Sequence, residues 1–173
     1  MGRFKQFIKN IVIFHSINLI LGILPNHSLS SLVRGYFYSF FLKKCGKKFR
    51  VAQGVLINCK ENMEVGDNVY IAHDSWINAA GGIIFGDNVI ISPKVVIATT
   101  KHAYENGTVM LKNGGIAPVV IKSGTWITSN VTITMGVTIG KGCIVAANSA
   151  VSKNIDDYKL VGGVPAKIIK DLS

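Results

Sequence analysis

His102 is the residue whose type and position most clearly suggest chemistry. It stands near the start of a polar, glycine-rich segment that interrupts a long aliphatic region. Near pH 7 a neutral imidazole can remove a proton from a very weak acid such as a hydroxyl group. The sequence therefore makes His102 a candidate general base, and the alternative is an ordinary surface histidine in a loop.

The remaining histidines and the cysteines give weaker signals. His73, next to Asp74, is expected either in the wall of an acceptor site or on plain surface, and His15 and His27 are expected to be structural. The three cysteines, at positions 45, 59 and 143, lie far apart and include no Cys-x-x-Cys pair. This spacing favours neither a disulfide framework nor a zinc ribbon, and we expect reduced thiols in a cytoplasmic protein.

The composition is that of one ordered, basic domain. The 173 residues include 19 Lys or Arg and 9 Asp or Glu, for a net charge of +10, and 49% of them are apolar. Basic residues are concentrated between Lys43 and Arg50 and near the two termini. The pattern lacks a recognition helix or stacking aromatic residues, so no nucleic acid partner is expected. A phosphorylated cofactor or an anionic membrane surface fits the basic residues better.

An aliphatic or aromatic residue recurs at a six-residue interval from about residue 45 onward. The series is Val51, Ile57, Val65, Ile71, Ile77, Phe85, Ile91, Ile97, Ile121, Ile127, Ile133, Ile139, Val145 and Val151. Four residues after most of them stands a small or branched residue, and Gly, Ala or Ser often follows them directly. A period of six fits neither an α-helix nor a simple strand, and over about a hundred residues it indicates a hexapeptide β-solenoid.

Each hexapeptide predicts a short strand and a corner, and three hexapeptides close one triangular coil. Coils stack at a strand spacing of about 4.8 Å, so the six-spaced residues point inward and lie on their equivalents in the next coil. Steps of eight, from Ile57 to Val65 and from Ile77 to Phe85, place a two-residue bulge at the same corner of successive coils. We expect five coils, starting near residues 45, 65, 85, 121 and 139, with Cys143 in the core.

One step of the repeat contains a long insertion. The stretch of about residues 100–118 lies between Ile97 and Ile121, is polar and glycine-rich, and must leave the coil as a loop. Long loops on rigid scaffolds are more often functional than idle. His102 lies in this loop.

The first 44 residues predict helices. A first helix has apolar residues at helical spacing, namely Phe4, Phe7, Ile8, Ile11 and Val12, and a second, after Asn26 or Ser28, has the apolar stripe Leu29, Leu32, Val33, Tyr36, Phe37 and Phe40. The helices are expected to cap the main fold with these faces buried, or to lie at a membrane interface beside Arg3, Lys5 and Lys9. The uninterrupted apolar stretch is too short for a spanning helix. The chain thus divides into a helical segment, residues 1–44, a β-helix, residues 45–156 with the loop 100–118, and a C-terminal tail, residues 157–173.

The repeat, the loop and the ending Val161-Gly162-Gly163-Val164-Pro165-Ala166-Lys167 together resemble the hexapeptide-repeat acyltransferases. The resemblance covers about residues 45–170 and is greatest to the branch of galactoside, maltose and capsular-sugar O-acetyltransferases. It implies an all-β solenoid, a left-handed parallel β-helix of about five triangular coils with N-terminal helices and one long loop. It also implies a homotrimer with active sites between subunits, and acetyl-CoA as the acyl donor without a metal.

The resemblance also implies roles for individual residues. His102 matches the catalytic histidine, and Trp126 and Ser129 match residues that line the acyl-transfer site. The amide of Ser129 is the candidate donor to the thioester oxygen, which becomes negative during attack. Contacts to coenzyme A are carried over to Ala147, Ser152, Lys153 and Lys170. On the acceptor side, Asn78 matches a binding asparagine and His73 is a candidate wall residue.

The expected reaction is direct transfer of an acetyl group in a ternary complex, because no thiol is placed as a nucleophile. His102 would take the proton of a hydroxyl on a sugar or cell-envelope glycan, and Lys153 and Lys170 would bind the phosphates of coenzyme A. Thr128 stands where the family often has glycine, at the slot for the pantetheine arm. The enzyme is expected in the cytoplasm, with the inner face of the cell membrane as a further possibility.

Three other functions fit part of the pattern. The same chemistry would serve serine or an antibiotic as the acceptor. A non-catalytic β-solenoid scaffold would need neither His102 nor the motif around Trp126. A zinc enzyme similar to the γ-type carbonic anhydrases would need three converging histidines. The solenoid sequence contains two, His73 and His102.

Overall fold

The computed structural model describes residues 8–172, and these form a left-handed parallel β-helix with two helices at its N-terminal end. The expectations for Arg3, Phe4, Lys5 and Phe7 lie outside the described residues, as do the side chains at positions 9–11. Each coil contributes one strand to each of three parallel sheets, so the solenoid is triangular in section.

The three sheets run along the sides of the solenoid. Sheet 1 contains β1 (Lys44–Cys45), β4 (Met63–Val65), β7 (Ile83–Phe85), β12 (Val119–Ile121) and β15 (Thr138–Ile139). Sheet 2 contains β2 (Arg50–Val51), β5 (Tyr70–Ile71), β8 (Ile90–Ile91), β13 (Trp126–Ile127), β16 (Ile144–Val145) and β18 (Lys159–Gly162). Sheet 3 contains β3 (Leu56–Asn58), β6 (Trp76–Asn78), β9 (Val96–Ala98), β14 (Thr132–Ile133) and β17 (Ala150–Val151).

The period-six residues form the core, as the sequence predicts. Every member of the series is buried, and the registers stack them: Ile71 pairs with Ile91, Ile91 with Ile127, and Ile127 with Val145. Complete burial of an aliphatic side chain of this size contributes about 1.5–3 kcal/mol. The prediction of about five coils is confirmed, and β18 begins a partial sixth coil on top of β16.

The corners explain the small residues that follow the aliphatic ones. A Cβ atom added at Gly66 would lie 2.7 Å from the carbonyl carbon of Gly86 in the next coil, so a side chain there would push the coils apart. Aspartates join the same corner along the axis, because the Asp67 carboxylate accepts from the amide of Lys47 at 2.6 Å and Asp87 accepts from the amide of Asp67 at 2.7 Å. These contacts hold the coil spacing on which the site depends.

The inserted segment is a β-hairpin that leaves the solenoid between sheets 3 and 1. Strand β10 (Thr100–Glu105) pairs antiparallel with β11 (Thr108–Ile116). The turn residues Asn106 and Gly107 have φ angles of 51° and 78°, which is the conformation of a two-residue type I′ hairpin turn. The excursion is therefore more ordered than the loop that its composition predicts.

The C-terminal residues also form strands. Strand β18 (Lys159–Gly162) extends sheet 2, and β19 (Lys167–Asp171) pairs with it antiparallel. The expected tail therefore covers one edge of sheet 2.

Two helices pack on the first coil, and the second of them does so with a different face from the expected one. A π-helical turn (Ile8–Ile13) leads into α1 (Phe14–Gly22), and α2 is Ser28–Ser39. The side of α2 that packs inward consists of Ser31, Arg34, Gly35 and Tyr38. Of the expected buried stripe only Phe37 is partly covered, and the exposed members are Leu29, Leu32, Val33, Tyr36 and Phe40.

Close approach and hydrogen bonding determine this orientation of α2. A Cβ atom at Gly35 would lie 2.0 Å from the carbonyl oxygen of Phe49, so only glycine allows the helix to sit on the first coil. The buried Arg34 guanidinium donates to the carbonyl oxygens of Leu21 at 3.2 Å and Leu24 at 2.6 Å, which terminate α1. Within residues 8–172 no helix has the length and apolar character needed to cross a bilayer.

Candidate active site

His102 lies on the inner half of the hairpin, with its side chain exposed. It faces Asn113 across the strand pair, and the register shifts on both sides of it. Its ring forms no hydrogen bond to any residue between 8 and 172. The hairpin borders a cleft of about 570 Å³, lined by Lys101, His102, Ala103, Tyr104, Lys112 and Asn113, among others. The imidazole nitrogens are therefore open to a bound molecule.

Gly114 lets the two hairpin strands close beside His102. A Cβ atom at this position would lie 2.3 Å from the carbonyl oxygen of His102 and 2.4 Å from the amide nitrogen of Ala103. Asn113 stabilises the same bend, because its side-chain oxygen accepts from the amide of Gly115 at 2.8 Å. The Asn113-Gly114-Gly115 sequence was available as a signal for this bend, and its role in positioning His102 was not predicted.

The root of the hairpin is tied to the second coil by Asn78. Its side-chain amide donates to the hydroxyl of Thr100 at 3.2 Å, and its side-chain oxygen accepts from the amide of Ala80 at 3.1 Å. The buried Thr99 hydroxyl donates to the carbonyl oxygen of Asn78 at 2.7 Å. The predicted acceptor residue therefore lies near the start of the strand that carries His102.

Trp126 and Ser129 occupy sheet 2 and the corner that follows it. The indole ring of Trp126 is 45% exposed, and its Nε1 atom donates to the hydroxyl of Ser92 at 2.8 Å, which fixes the ring on the outer surface. The amide of Ser129 forms no hydrogen bond with any described residue and is available to a ligand. The Thr128 hydroxyl donates back to the carbonyl oxygen of Val145. Ser92 was not identified from the sequence.

The corner between sheets 2 and 3 places three of the predicted site residues in one row. The amide of Lys94 donates to the His73 carbonyl oxygen, and the amide of Asn148 donates to that of Ser129. Because equivalent corner residues stack, Ala147 lies one coil from Ser129 and His73 lies two coils away, at about 5 and 10 Å along the axis. Asn26 Nδ2 lies 3.4 Å from His73 Nδ1, so the linker between the helices holds this ring.

The other residues predicted to contact coenzyme A are not in this row. Ser152 and Lys153 are exposed and follow β17, at the corner between sheets 3 and 1 from which the hairpin departs two coils earlier. Lys170 is exposed on β19, opposite Leu160. Neither Lys153 nor Lys170 forms an ion pair within the described part of the chain.

A single chain does not bring His102 together with the predicted acyl-transfer residues. The hairpin leaves between sheets 3 and 1, whereas Ser129 lies between sheets 2 and 3 and Trp126 lies on sheet 2. No hydrogen bond joins these residues, and the cleft beside His102 contains neither Trp126 nor Ser129.

The three thiols are poor nucleophiles near neutral pH. Burial raises the pKa of Cys45 to about 11, and burial likewise raises the pKa values of Cys59 and Cys143. Cys143 is fully buried, as predicted for a core residue. Between residues 8 and 172 no cluster of three or more His, Cys, Asp or Glu side chains is arranged to hold a metal ion.

Sequence relatives of the chain are acetyltransferases by name. It is 32% identical to the galactoside O-acetyltransferase of Escherichia coli (strain K12), over 74% of this chain and 63% of that protein. It is 31% identical to a putative acetyltransferase of Saccharomyces cerevisiae, over 76% of this chain and 67% of that protein. It is also 34% identical to a probable acetyltransferase of Mycobacterium tuberculosis, but over only 37% of that protein's length. No family model matches the chain.

Solved structures share the fold. A hexapeptide-repeat containing acetyltransferase of Vibrio cholerae, crystallised with acetyl coenzyme A, superposes with a TM-score of 0.76 and 27% identity over 100% of both chains. A maltose O-acetyltransferase of Clostridium difficile 630 gives a TM-score of 0.81 and 25% identity over 97% of this chain and 89% of the other. The chain belongs to the hexapeptide-repeat acetyltransferases. Among the proteins to which it is similar are a galactoside and a maltose O-acetyltransferase.

Proposed function

We propose that this protein is an acetyl-CoA-dependent O-acetyltransferase that acts on a hydroxyl of a sugar or cell-envelope glycan. Family membership supports the acetyl transfer, and the names of the galactoside and maltose enzymes support a sugar acceptor. The Vibrio relative crystallised with acetyl coenzyme A supports the donor. The observation that carries the mechanism is the exposed His102 imidazole, which borders a cleft and has no hydrogen-bond partner among residues 8–172.

The chemistry proceeds by direct transfer. A ring nitrogen of His102 takes the hydroxyl proton as the acceptor oxygen attacks the thioester carbonyl carbon, and the carbon–sulfur bond then breaks. The imidazolium returns the proton to the departing thiolate of coenzyme A. The raised pKa values of the three thiols support this route over one through an acetyl-cysteine intermediate.

The backbone amide of Ser129 stabilises the negative charge that develops on the thioester oxygen. This amide has no partner within the described chain, and a fixed N–H at 2.7–3.1 Å from the oxyanion typically contributes about 3–4 kcal/mol to transition-state stabilisation. The indole of Trp126, held by Ser92, forms the adjoining wall. Ala147 and Ser152 line the path of coenzyme A. Lys153 and Lys170, which form no ion pair in the described part of the chain, supply ammonium groups for its phosphates.

The active site is completed between two subunits of a homotrimer. The separation of the hairpin from Trp126 on sheet 2 and from the Ser129 corner supports this arrangement, because the hairpin of one copy must meet the Ser129 corner of its neighbour. Asn78 contacts the acceptor near His102, and His73 forms the far wall of the Ser129 row. A cytoplasmic location is supported by the three free cysteines.

The test is thiol release from acetyl-CoA with a panel of acceptors that includes galactosides, maltose, nucleotide sugars, serine and a macrolide antibiotic. His102→Ala is expected to lower kcat by about 10²–10⁴-fold, the usual contribution of a general base. His15→Ala removes an exposed histidine on α1 and serves as the matched control. Equal turnover by both variants, or no release with any hydroxyl acceptor, would contradict the proposal.

A further inference from the structure

The outward side of the two N-terminal helices is apolar. On α2, Leu29, Leu32, Val33, Tyr36 and Phe40 recur at helical spacing, so they form one stripe, and Tyr36 is 69% exposed. On α1 and just after it, Leu19, Ile20 and Ile23 are exposed, with Ile23 at 82%. We call these eight residues the helix face. Exposed large apolar side chains grouped in this way are typical of an interaction site.

Lysines of the first coil border the helix face. Leu32 and Tyr36 line the same pocket of about 420 Å³ as Lys47 and Lys48. Lys44 is exposed on β1 nearby in the chain, and none of these three lysines forms an ion pair with a described residue. Lys43 is different, because its ammonium group lies 2.8 Å from a carboxylate oxygen of Glu64. The surface therefore combines apolar side chains with three lysines that form no ion pair with a described residue, and the carboxylate next to them, Asp67, accepts from the backbone amide of Lys47.

The excess of positive charge in the chain comes from this region of the sequence. Residues 1–60 contain ten of the 19 Lys and Arg residues and none of the 9 Asp and Glu residues. Residues 61–173 contain the remaining basic residues in equal number with the acidic ones. The net charge of +10 thus belongs entirely to the segment that bears the helix face and the first coil.

We propose that the helix face and Lys44, Lys47 and Lys48 dock this protein on an anionic phospholipid bilayer. In this arrangement α1 and α2 lie in the interfacial plane, their apolar side chains enter the acyl boundary, and the lysines meet lipid phosphates. A second copy of the chain is a poorer occupant, because joining two such faces would bring together two segments of equal positive charge. The bilayer supplies both the apolar layer and the negative charge that the surface requires.

Docking would also determine which acceptors reach His102. The helices sit on the first coil through Gly35, and the hairpin departs after the third coil, about 10 Å further along the axis. This consequence, which rests on the proposed acetyl transfer, favours a lipid-linked glycan whose sugar lies close to the headgroups. The docking itself is independent of catalysis and is tested without substrate.

The experiment is co-sedimentation of the full chain with two kinds of vesicle. One contains phosphatidylcholine alone, and the other contains phosphatidylcholine with about 30% phosphatidylglycerol. The wild-type protein is expected to bind the anionic vesicles at least about 10-fold more tightly, with the difference reduced at high salt. Lys47→Glu/Lys48→Glu and Tyr36→Ser/Phe40→Ser are each expected to weaken binding about 10-fold or more.

Matched variants isolate the surface. Lys141 is equivalent to Lys47, because the backbone amide of each donates to an aspartate carboxylate. Lys94 is equivalent to Lys48, because each stands at a corner with a positive φ angle. Lys94→Glu/Lys141→Glu therefore changes the net charge equally and is expected to bind like wild type. Ile84→Ser/Ile90→Ser is the apolar control, on exposed strand positions of the third coil.

Three results would overturn the docking proposal. One is absence of wild-type binding to the anionic vesicles, and another is an equal loss of binding in the control variants. The third is dissociation of an oligomer by Tyr36→Ser/Phe40→Ser, measured by sedimentation velocity, which would make the face a subunit contact. Retained thiol release by Lys47→Glu/Lys48→Glu with a soluble acceptor separates a failure of docking from a failure of the enzyme assignment.

Discussion

The side-chain amide of Asn78 donates to the Thr100 hydroxyl at 3.2 Å, which joins the second coil to the hairpin that carries His102. The Asn78 side-chain oxygen is also engaged, by the amide of Ala80. Among the described residues the second N–H of the Asn78 amide group has no acceptor, so it is left for a ligand. The residue proposed to contact the acceptor is therefore also part of the support for the proposed base, and the two roles predict different kinetics.

Asn78→Ala is expected to raise the acceptor KM by about 10-fold, because a hydrogen bond of about 1–1.5 kcal/mol is lost. Thr100→Val removes the same tie to the hairpin and keeps the Asn78 amide, so its acceptor KM is expected to stay within about 2-fold of wild type. Steady-state kinetics over a range of acceptor concentrations measures both. Equal changes in the two variants would show that Asn78 acts through the hairpin alone.

Gly114→Ala is expected to lower kcat/KM by at least about 10-fold, because the new Cβ atom would meet the His102 carbonyl oxygen and displace the strand that holds the imidazole. Gly107→Ala, at the hairpin tip, places its Cβ atom in open space and adds only the cost of a positive φ, about 1 kcal/mol. Comparing thiol release by the two variants separates displacement of His102 from general strain in the hairpin. A greater loss in Gly107→Ala would contradict the role given to Gly114.

The solenoid was predictable because its geometry repeats in the sequence. A residue such as Ile91 is inward for the same reason as Ile71 one coil earlier, so the period alone identifies the core. The hairpin was predicted only as a loop. Its strands lack clear alternation of polar and apolar residues, and Asn106-Gly107, which is typical of a type I′ turn, is the one local signal of a hairpin.

The orientation of α2 was not predictable from its own sequence. The apolar stripe indicated a buried face, but Gly35 must meet Phe49 and Arg34 must meet the end of α1, and both partners are distant in the chain. The arrangement of the candidate site was likewise not predictable from the local sequence. The sequence identifies His102 by its residue type and its position in the loop, and Trp126 and Ser129 through a resemblance. Their separation within one chain follows only from the coil topology.

Thiol alkylation tests the raised pKa of Cys45. With a pKa of about 11 in place of the model-peptide value near 9, the thiolate fraction at pH 8 is about 100-fold smaller than for a free cysteine. Iodoacetamide is therefore expected to modify Cys45 about 100-fold more slowly in the native protein than in urea. The rate is expected to rise with pH up to about 11, and peptide mass spectrometry follows the site. Rapid native labelling at pH 8 would contradict the burial of this thiol.

Ile91→Ala and Ile90→Ala test the geometry of the coil with two adjacent residues of β8. Ile91 is fully buried between Ile71 and Ile127, whereas Ile90 points outward and is 44% exposed. Loss of the inward side chain leaves a cavity that the stacked coils cannot close, so the free energy of unfolding is expected to fall by about 2–5 kcal/mol. Loss of the outward one is expected to cost under about 1 kcal/mol, because it removes little buried surface. Urea denaturation of the two variants at one protein concentration measures both values. Similar losses in the two variants would contradict the inward stacking of the period-six residues, because only that stacking gives the two neighbouring isoleucines different contributions to stability.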